Sequence, residues 1–223
     1  MATRTTRSTR HRVPLSRERV LDAAMRLADQ GGIDALTMRK LGQELGVEAM
    51  ALYYHFAGKD EVVDGIVDRV HGEIEVPADA ADWMVAMRRR AFSAREALSR
   101  HPWAAVMMES RRNPGSASLR HHDAVLGLLR AAGFSVEMAA HAFSLLDSYI
   151  YGFSQQQASL PFESADAAAA AEDMLRNFPV DAYPHLAEIA FQHVMKPGYD
   201  YANEFEFGID LILDGLERSR ISA

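Results

Sequence analysis

Between residues 15 and 60, apolar positions recur at three- and four-residue steps in three short runs divided by glycine, which predicts three packed helices. Val20, Leu21, Ala24, Leu27 and Ala28 form the first stripe, closed by Gly31 and Gly32, and Leu15, Ser16 and Val20 fit a hydrophobic staple around an N-cap. Met38, Leu41 and Leu45 form the second, with Thr37 as its N-cap and Gly46 as its end. The third run, 47–56, turns Val47, Leu52 and Phe56 toward a core and leaves Ala49, Met50, Tyr53, Tyr54 and His55 on the other side. Large apolar and aromatic groups on a face that folding does not need point to a partner. Two short helices around a tight turn, the second carrying such a face, have the build of a major-groove reader.

Beyond residue 60 the pattern stays helical, with few strand signals and no internal repeat, so an all-α fold is expected. Val62, Val63, Ile66, Val67 and Val70 predict a helix over 60–73 that joins the small unit to the rest and is placed to act as its lever. A break at 77–82 precedes helices expected at 83–99, 103–110, 119–132, 136–157 and 202–218. The segment 161–184, with its alanine run, reads as a mobile insert. Division into a basic arm (1–14), a helix-turn-helix domain (15–60) and a larger effector-binding and dimerisation domain (61–223) follows.

Charge sharpens this picture. The first 60 residues hold 10 Lys and Arg against 7 Asp and Glu, net +3, and the remainder hold 14 against 24, net −10, which together give the chain's −7. A basic head on an acidic body presents one end to a polyanion. The opening MATRTTRSTRHR has basic and hydroxyl residues, no acid and nothing to bury; it reads as a disordered arm for phosphates or a minor groove, as a solvated tail, or as a transit-peptide-like leader. With 48% hydrophobic residues in 223, the chain can bury a sizeable core. No cysteine is present, which removes disulfides and thiolate metal sites. The most apolar stretch, 138–153, contains His141 and Asp147, so no membrane span is expected and a cytoplasmic location is. Phosphate-cradling glycine loops, nucleophile elbows and paired carboxylates in a recognisable frame are missing, which argues against an enzyme. His121-His122-Asp123 invites a metal reading, but neighbours on a helix point about 100° apart, and a wet helix face is expected.

The run LTMRKLGQELGVEAMALYYHFAGKDEVVDGI resembles the DNA-binding domain of the TetR family of bacterial transcriptional repressors, with its Thr-Met-Arg opening, Leu-Gly-Val turn and Leu-Tyr-x-His-Phe followed by Lys. AAGFSVEMAAHAFSLLDSYIYG and FEFGIDLILDGLE are similar to the effector domain of the tetracycline-repressor subfamily, so the likeness extends over most of 16–218. It implies a homodimer that binds a double-stranded palindromic operator and is released by a small molecule; no cofactor and no metal site is expected in this chain. A TetR-like activator, or a DNA-binding protein controlled by a partner without a small-molecule inducer, is the alternative.

Carried over residue by residue, the resemblance implies that Arg39 contacts a guanine edge or a phosphate, that Tyr53 lies against bases and sugars, and that Thr37, Tyr54, His55 and Lys59 meet phosphates. Ala49, Met50 and Ala51 stand where the tetracycline-repressor subfamily has Gln-Pro-Thr, so a different operator is expected, with Ala49 and Met50 against thymine methyls. The subfamily's magnesium-holding His and Glu fall at Met107 and Gln156, which replace neither, so tetracycline is not the expected effector. Candidate pocket residues are Trp83, Met87, Arg90, Trp103, Met107, Met108, Ser110, Phe143, Asp147 and Tyr151, a mostly apolar set suited to an apolar or aromatic ligand, each with plain core packing as its alternative. Tyr149, Ile150, Phe153, Phe205, Ile209 and Leu213 are the residues expected at a four-helix dimer contact, or else in the monomer core. Gly152 and Gly208 inside helical patterns suggest close helix approach.

Overall fold

A computed structural model describes residues 14–77, 82–160, 176 and 178–222. The basic arm falls almost wholly outside the described residues, as does most of the 161–184 segment. The described residues are helical, without strands. In chain order the helices are α1 (Arg17–Ala35), α2 (Met38–Leu45), α3 (Ala49–Leu52), α4 (Lys59–Glu73), α5 (Trp83–Arg100), α6 (Ala104–Ser110), α7 (Ser116–Ala131), α8 (Val136–Ala158), α9 (Pro184–Ile189, continued by a π turn at Ala190–Val194) and α10 (Ala202–Ser222). Two compact units result, residues 1–66 and 67–223, and the divide falls inside α4.

In the smaller unit, local chemistry sets each helix end. The Ser16 hydroxyl accepts from the Arg19 amide at 3.3 Å and that of Thr37 from the Lys40 amide at 3.1 Å, satisfying first-turn donors that a helix cannot pair internally. Gly46 closes α2 at φ 68°, a left-handed conformation that glycine adopts without strain. Gly42 is buried for a different reason: a Cβ there would press on the Val47 carbonyl, so α2 and the turn into α3 can approach only at a glycine. Val20, Ala24, Leu41, Leu52, Phe56, Val62 and Ile66 close the core. At one edge Glu61 accepts from the Ala57 amide at 2.6 Å and pairs with Arg17 at 2.8 Å, while the Arg17 guanidinium lies 4.1 Å from the Phe56 ring centre.

In the larger unit, α8 is the central element: α5, α6, α7 and α10 all pack on it, and α5 also packs on α10. Ile150, Phe205 and Ile209 are fully buried within one chain, and Phe153 and Leu213 nearly so. Tyr149 stacks on Phe205 at 5.6 Å and donates to the Glu204 carbonyl at 2.9 Å. Five of the six are thus buried within one chain and Tyr149 ties α8 to α10, in keeping with the monomer-core alternative. Gly208 admits the Tyr149 ring, where a Cβ would collide with it, whereas a Cβ at Gly152 would meet nothing within 4 Å among the described residues.

Candidate DNA-reading surface and effector site

The third helix is shorter than the pattern predicts. Regular α geometry ends at Leu52, and the His55 amide then bonds the Leu52 carbonyl at 2.9 Å, an i→i+3 step that tightens the last turn. That tightening brings Phe56 into the core and turns the tyrosines out. Tyr54 is 90% exposed and Met50 72%, and Tyr53 is exposed beside them. Arg39 and Thr37 are exposed on α2, while Ala49 and His55 are half-buried. Lys59 is half-buried, and its ammonium donates to the Ile33 carbonyl at 3.2 Å. Protein contacts thus hold Lys59 in place beside the turn that follows α3.

A second constellation lies inside the larger unit. Arg90 from α5 is 1% exposed; its Nη2 donates to Asp147 of α8 at 2.5 Å and its Nε to His121 Nε2 of α7 at 3.1 Å. Since a guanidinium only donates, His121 Nε2 accepts, which places the proton of the neutral ring on Nδ1. Burial, with the Arg90 charge beside it, pushes the His121 pKa down to about 3. Burial likewise lowers His71 and His122. Tyr151 beside Asp147 is raised by burial, then by the Asp147 charge, and stays a phenol. Phe143 faces the group with its ring centre 6.0 Å from the Arg90 carbon and packs edge-on against His122 at 5.3 Å. Among the described residues the buried Arg90 Nη1 has no hydrogen-bond partner, and the Ile74 backbone lies against the His121 ring.

Of the pocket residues expected from sequence, Arg90, Phe143, Asp147 and Tyr151 come together here. Met107 and Met108 are half-buried on α6; Met87 and Trp103 are buried core residues; Ser110 is exposed and turns its hydroxyl back to the Met107 carbonyl. Trp83 lies elsewhere: its indole N–H donates to Glu217 at 3.0 Å beside a 390 Å³ surface pocket lined also by Leu128, Ala132 and Arg220. His121 is the residue that sequence reasoning missed. Instead of a wet face, it and His71 are buried, His122 is half-buried and only Asp123 is exposed. The available signal was its spacing, four residues before Val125 and eight before Leu129, on the stripe that α7 buries.

The same cluster reaches α4. His71 Nδ1 lies 2.9 Å from the Ser118 hydroxyl, and the Asp68 carboxylate accepts from the amides of Ala117 and Ser118 at 3.2 and 2.7 Å, supplying the first turn of α7 with the cap that Gly115 lacks.

A helix-turn-helix head with an exposed reading face, followed by a helical unit with a buried polar cluster, defines a DNA-binding regulator. The comparisons make the class specific. Residues 20–66 match the family model of bacterial regulatory proteins of the tetR family, and 76–220 the tetracyclin repressor-like C-terminal domain. The chain is 33% identical over 213 residues to the HTH-type transcriptional repressor DrrR1 of Streptomyces coeruleorubidus, covering 91% of this chain and 77% of that one. With the class C tetracycline repressor of Escherichia coli it shares 32% over 212 residues, 93% of each. Among solved structures, the TetR family protein ActR of Streptomyces coelicolor in complex with actinorhodin is similar at a TM-score of 0.77 and 28% identity, covering 93% of this chain and 99% of that one. Its apo form gives 0.78 and 27%, covering 94% and 98%. The protein belongs to the TetR family of transcriptional regulators. Among the described residues no helix is long and apolar enough to cross a membrane.

Proposed function

We propose that this protein is a repressor that binds a palindromic operator as a homodimer and lets go when a small molecule other than tetracycline enters its larger unit. The observation that carries the reading is the pairing of an outward aromatic face on α3 with an incompletely bonded polar cluster whose hydrogen bonds extend to α4. Met50, Tyr53 and Tyr54 offer apolar and stacking contact to base edges and sugars; the exposed Arg39 and Thr37 serve a guanine edge and a phosphate. His55, Ala49 and Lys59 border that surface, and the protein contact of Lys59 fixes its ammonium for a phosphate. Ligand entry at Arg90 and Asp147 would move α7 through His121, and α7 holds α4 through Asp68 and His71. Because α4 runs across the divide between the units, a coupling of ~1–3 kcal/mol there is enough to change operator affinity.

Homodimerisation is assigned to a different face from the one the apolar pattern suggested. Phe207 is 69% exposed and Leu211 57% on α10, one helical turn apart, and Leu145, Ser148 and Gly152 are exposed on α8. Two copies meeting along these stripes would form a four-helix contact in which Gly152 admits the partner helix. One recognition helix contacts too few base pairs for operator specificity, whereas two at a fixed spacing of ~34 Å read a palindrome.

Tetracycline bound through magnesium does not suit the donors present. Met107 offers a soft thioether, and Gln156 is an exposed amide that accepts from the Tyr201 hydroxyl at 3.3 Å. A protein similar to this chain was solved with actinorhodin, and an aromatic effector suits the Phe143 and His122 rings. Selection on a random duplex library at physiological salt tests the reading. A palindrome with half-sites about one turn apart is expected; recovery of no motif, with binding that fades uniformly as salt rises, would overturn it. A variant regulated by a protein partner would recover the palindrome yet show no release by any small molecule.

A further inference from the structure

Among the described residues Arg90 is the largest fully buried side chain, and it is incompletely used. A guanidinium carries five N–H donors. The Nε and Nη2 groups meet His121 and Asp147, while Nη1 is buried without an acceptor among the described residues. Leaving such a donor unpaired costs free energy, and any ligand that supplies an oxygen there recovers it. The surroundings decide which oxygen. Asp147 already balances the Arg90 charge. The other titratable groups around the cluster, His71 of α4, His121 and His122 of α7 and Tyr151 of α8, are held in their neutral forms by burial, and Glu109 of α6 adds negative charge near His122 and Tyr151. A carboxylate entering here would add a buried negative charge with no partner of its own, which low-dielectric surroundings penalise heavily. An uncharged carbonyl gains the same bond without that penalty. Phe143 and His122, half-buried and edge-on to each other beside Arg90, offer ring edges to a flat aromatic body.

We propose that the effector carries an uncharged aromatic ketone or quinone-type carbonyl whose oxygen accepts from Arg90 Nη1, with its ring system against Phe143 and His122. The assignment rests on the reading that the larger unit binds a small molecule, and it narrows the chemistry of that molecule to a neutral acceptor. Arg90 is then the specificity determinant, and Asp147 and His121 are positioning residues that hold its guanidinium.

Three ligands of one shape test this: 2-acetonaphthone, 2-ethylnaphthalene and 2-naphthoate, which put a carbonyl, an ethyl group and a carboxylate on the same ring. Titrated into the full chain at pH 7.5 and followed by tryptophan fluorescence and calorimetry, the ketone should bind about tenfold or more tightly than the ethyl compound, the discrimination expected of one hydrogen bond to a charged group. The naphthoate should bind no better than the ethyl compound. Arg90→Met should abolish the ketone's advantage. Because that substitution leaves Asp147 without its cation and can unfold the chain, the unaltered protein supplies a second readout: the ¹⁵N resonances of the Arg90 guanidinium should shift with the ketone and not with ethylnaphthalene. Equal affinity for ketone and ethyl compound, preference for the naphthoate, binding of none of the three, or a silent Arg90 resonance would each overturn the proposal. Its failure is separable from failure of the repressor reading. A different ligand that releases operator DNA independently of Arg90 would leave induction standing and remove the carbonyl assignment; Arg90-dependent ketone binding that never changes DNA affinity would do the reverse.

Discussion

The Asp68 carboxylate of α4 accepts a 2.7 Å hydrogen bond from the Ser118 amide, and so serves as the N-cap of α7 from another helix. Its second bond, to the Ala117 amide at 3.2 Å, satisfies another first-turn donor. Gly115, at the N-cap position, makes room for the carboxylate, since a Cβ there would overlap Asp68. Asp68→Ala should therefore cost about 1–2 kcal/mol in urea unfolding, the range of a lost cap with its favourable helix-end charge, and Gly115→Ala a similar amount. The double variant should cost clearly less than the sum, because both changes remove one interaction. Full additivity would show that α4 and α7 are not joined through this cap.

The same junction should carry the response to effector. An Asp68→Asn protein retains an acceptor oxygen for the cap but loses the charge. Expected is operator affinity near that of the parent with a weakened release at saturating ligand, measured by fluorescence anisotropy of labelled operator DNA. Unchanged release would place the coupling outside Asp68.

Acid sensitivity follows from the buried histidines. His71, His121 and His122 have folded-state pKa values below the ordinary value of 6.5, His121 at about 3, each chiefly because burial disfavours the imidazolium. The unfolded chain then binds more protons than the folded one wherever the pH is below about 6.5, so stability is full above that pH and declines as pH falls toward the folded values. His121, held neutral down to about 3, contributes a slope approaching ~1.4 kcal/mol per pH unit once the pH is well below 6.5, and His71 and His122 add to it in the same direction. Urea midpoints at pH 7.5, 6.0 and 5.0 should decline steadily, and His121→Asn should flatten the curve. A stability independent of pH across that window would mean that these rings are solvated.

How much of this was legible in the sequence depended on whether a residue's role is local. Ser16 and Thr37 at N-caps and Gly46 and Gly133 at positive φ mark helix ends through their own backbone chemistry, and most of the expected ends lie within a few residues of those observed. His121 carried only its spacing to Val125 and Leu129 as a sign of burial; its partner Arg90, thirty-one positions away, donates to Nε2 through packing that no local pattern shows. The face of α10 was ambiguous for a related reason. Phe205, Ile209 and Leu213 form one apolar stripe and Phe207 with Leu211 another, and periodicity alone cannot say which of two apolar faces turns inward. Only the packing of α10 on α5 and α8 decides it.

That ambiguity yields a paired prediction for oligomeric state. Phe207→Glu and Leu211→Glu place charge on the exposed stripe and should give folded monomers with parent-like helicity, seen as halved mass in sedimentation. Phe205→Glu buries a charge against Phe92, Tyr149 and Phe153 and should destabilise the protomer itself, by several kcal/mol. If Phe207→Glu remains dimeric at micromolar concentration, the interface lies elsewhere.

The reading surface separates into residues that choose a sequence and residues that hold the backbone. Arg39 is exposed on α2, and Arg39→Ala should cost ~1–3 kcal/mol, concentrated at one base pair of the half-site. Tyr54 is 90% exposed, so Tyr54→Phe tests its hydroxyl alone; affinity should drop for all sequences equally, as for a phosphate contact. Lys59 is a different case, because its ammonium also bonds the Ile33 carbonyl. Lys59→Ala should reduce the salt dependence of binding by about one counterion and also lower the melting temperature, whereas Tyr54→Phe should leave melting unchanged. Affinity for variant operators, measured across a salt series for all three proteins, distinguishes these roles. An Arg39→Ala protein that loses affinity evenly at every base pair would demote Arg39 to a phosphate contact and shift base reading to Met50 and Tyr53.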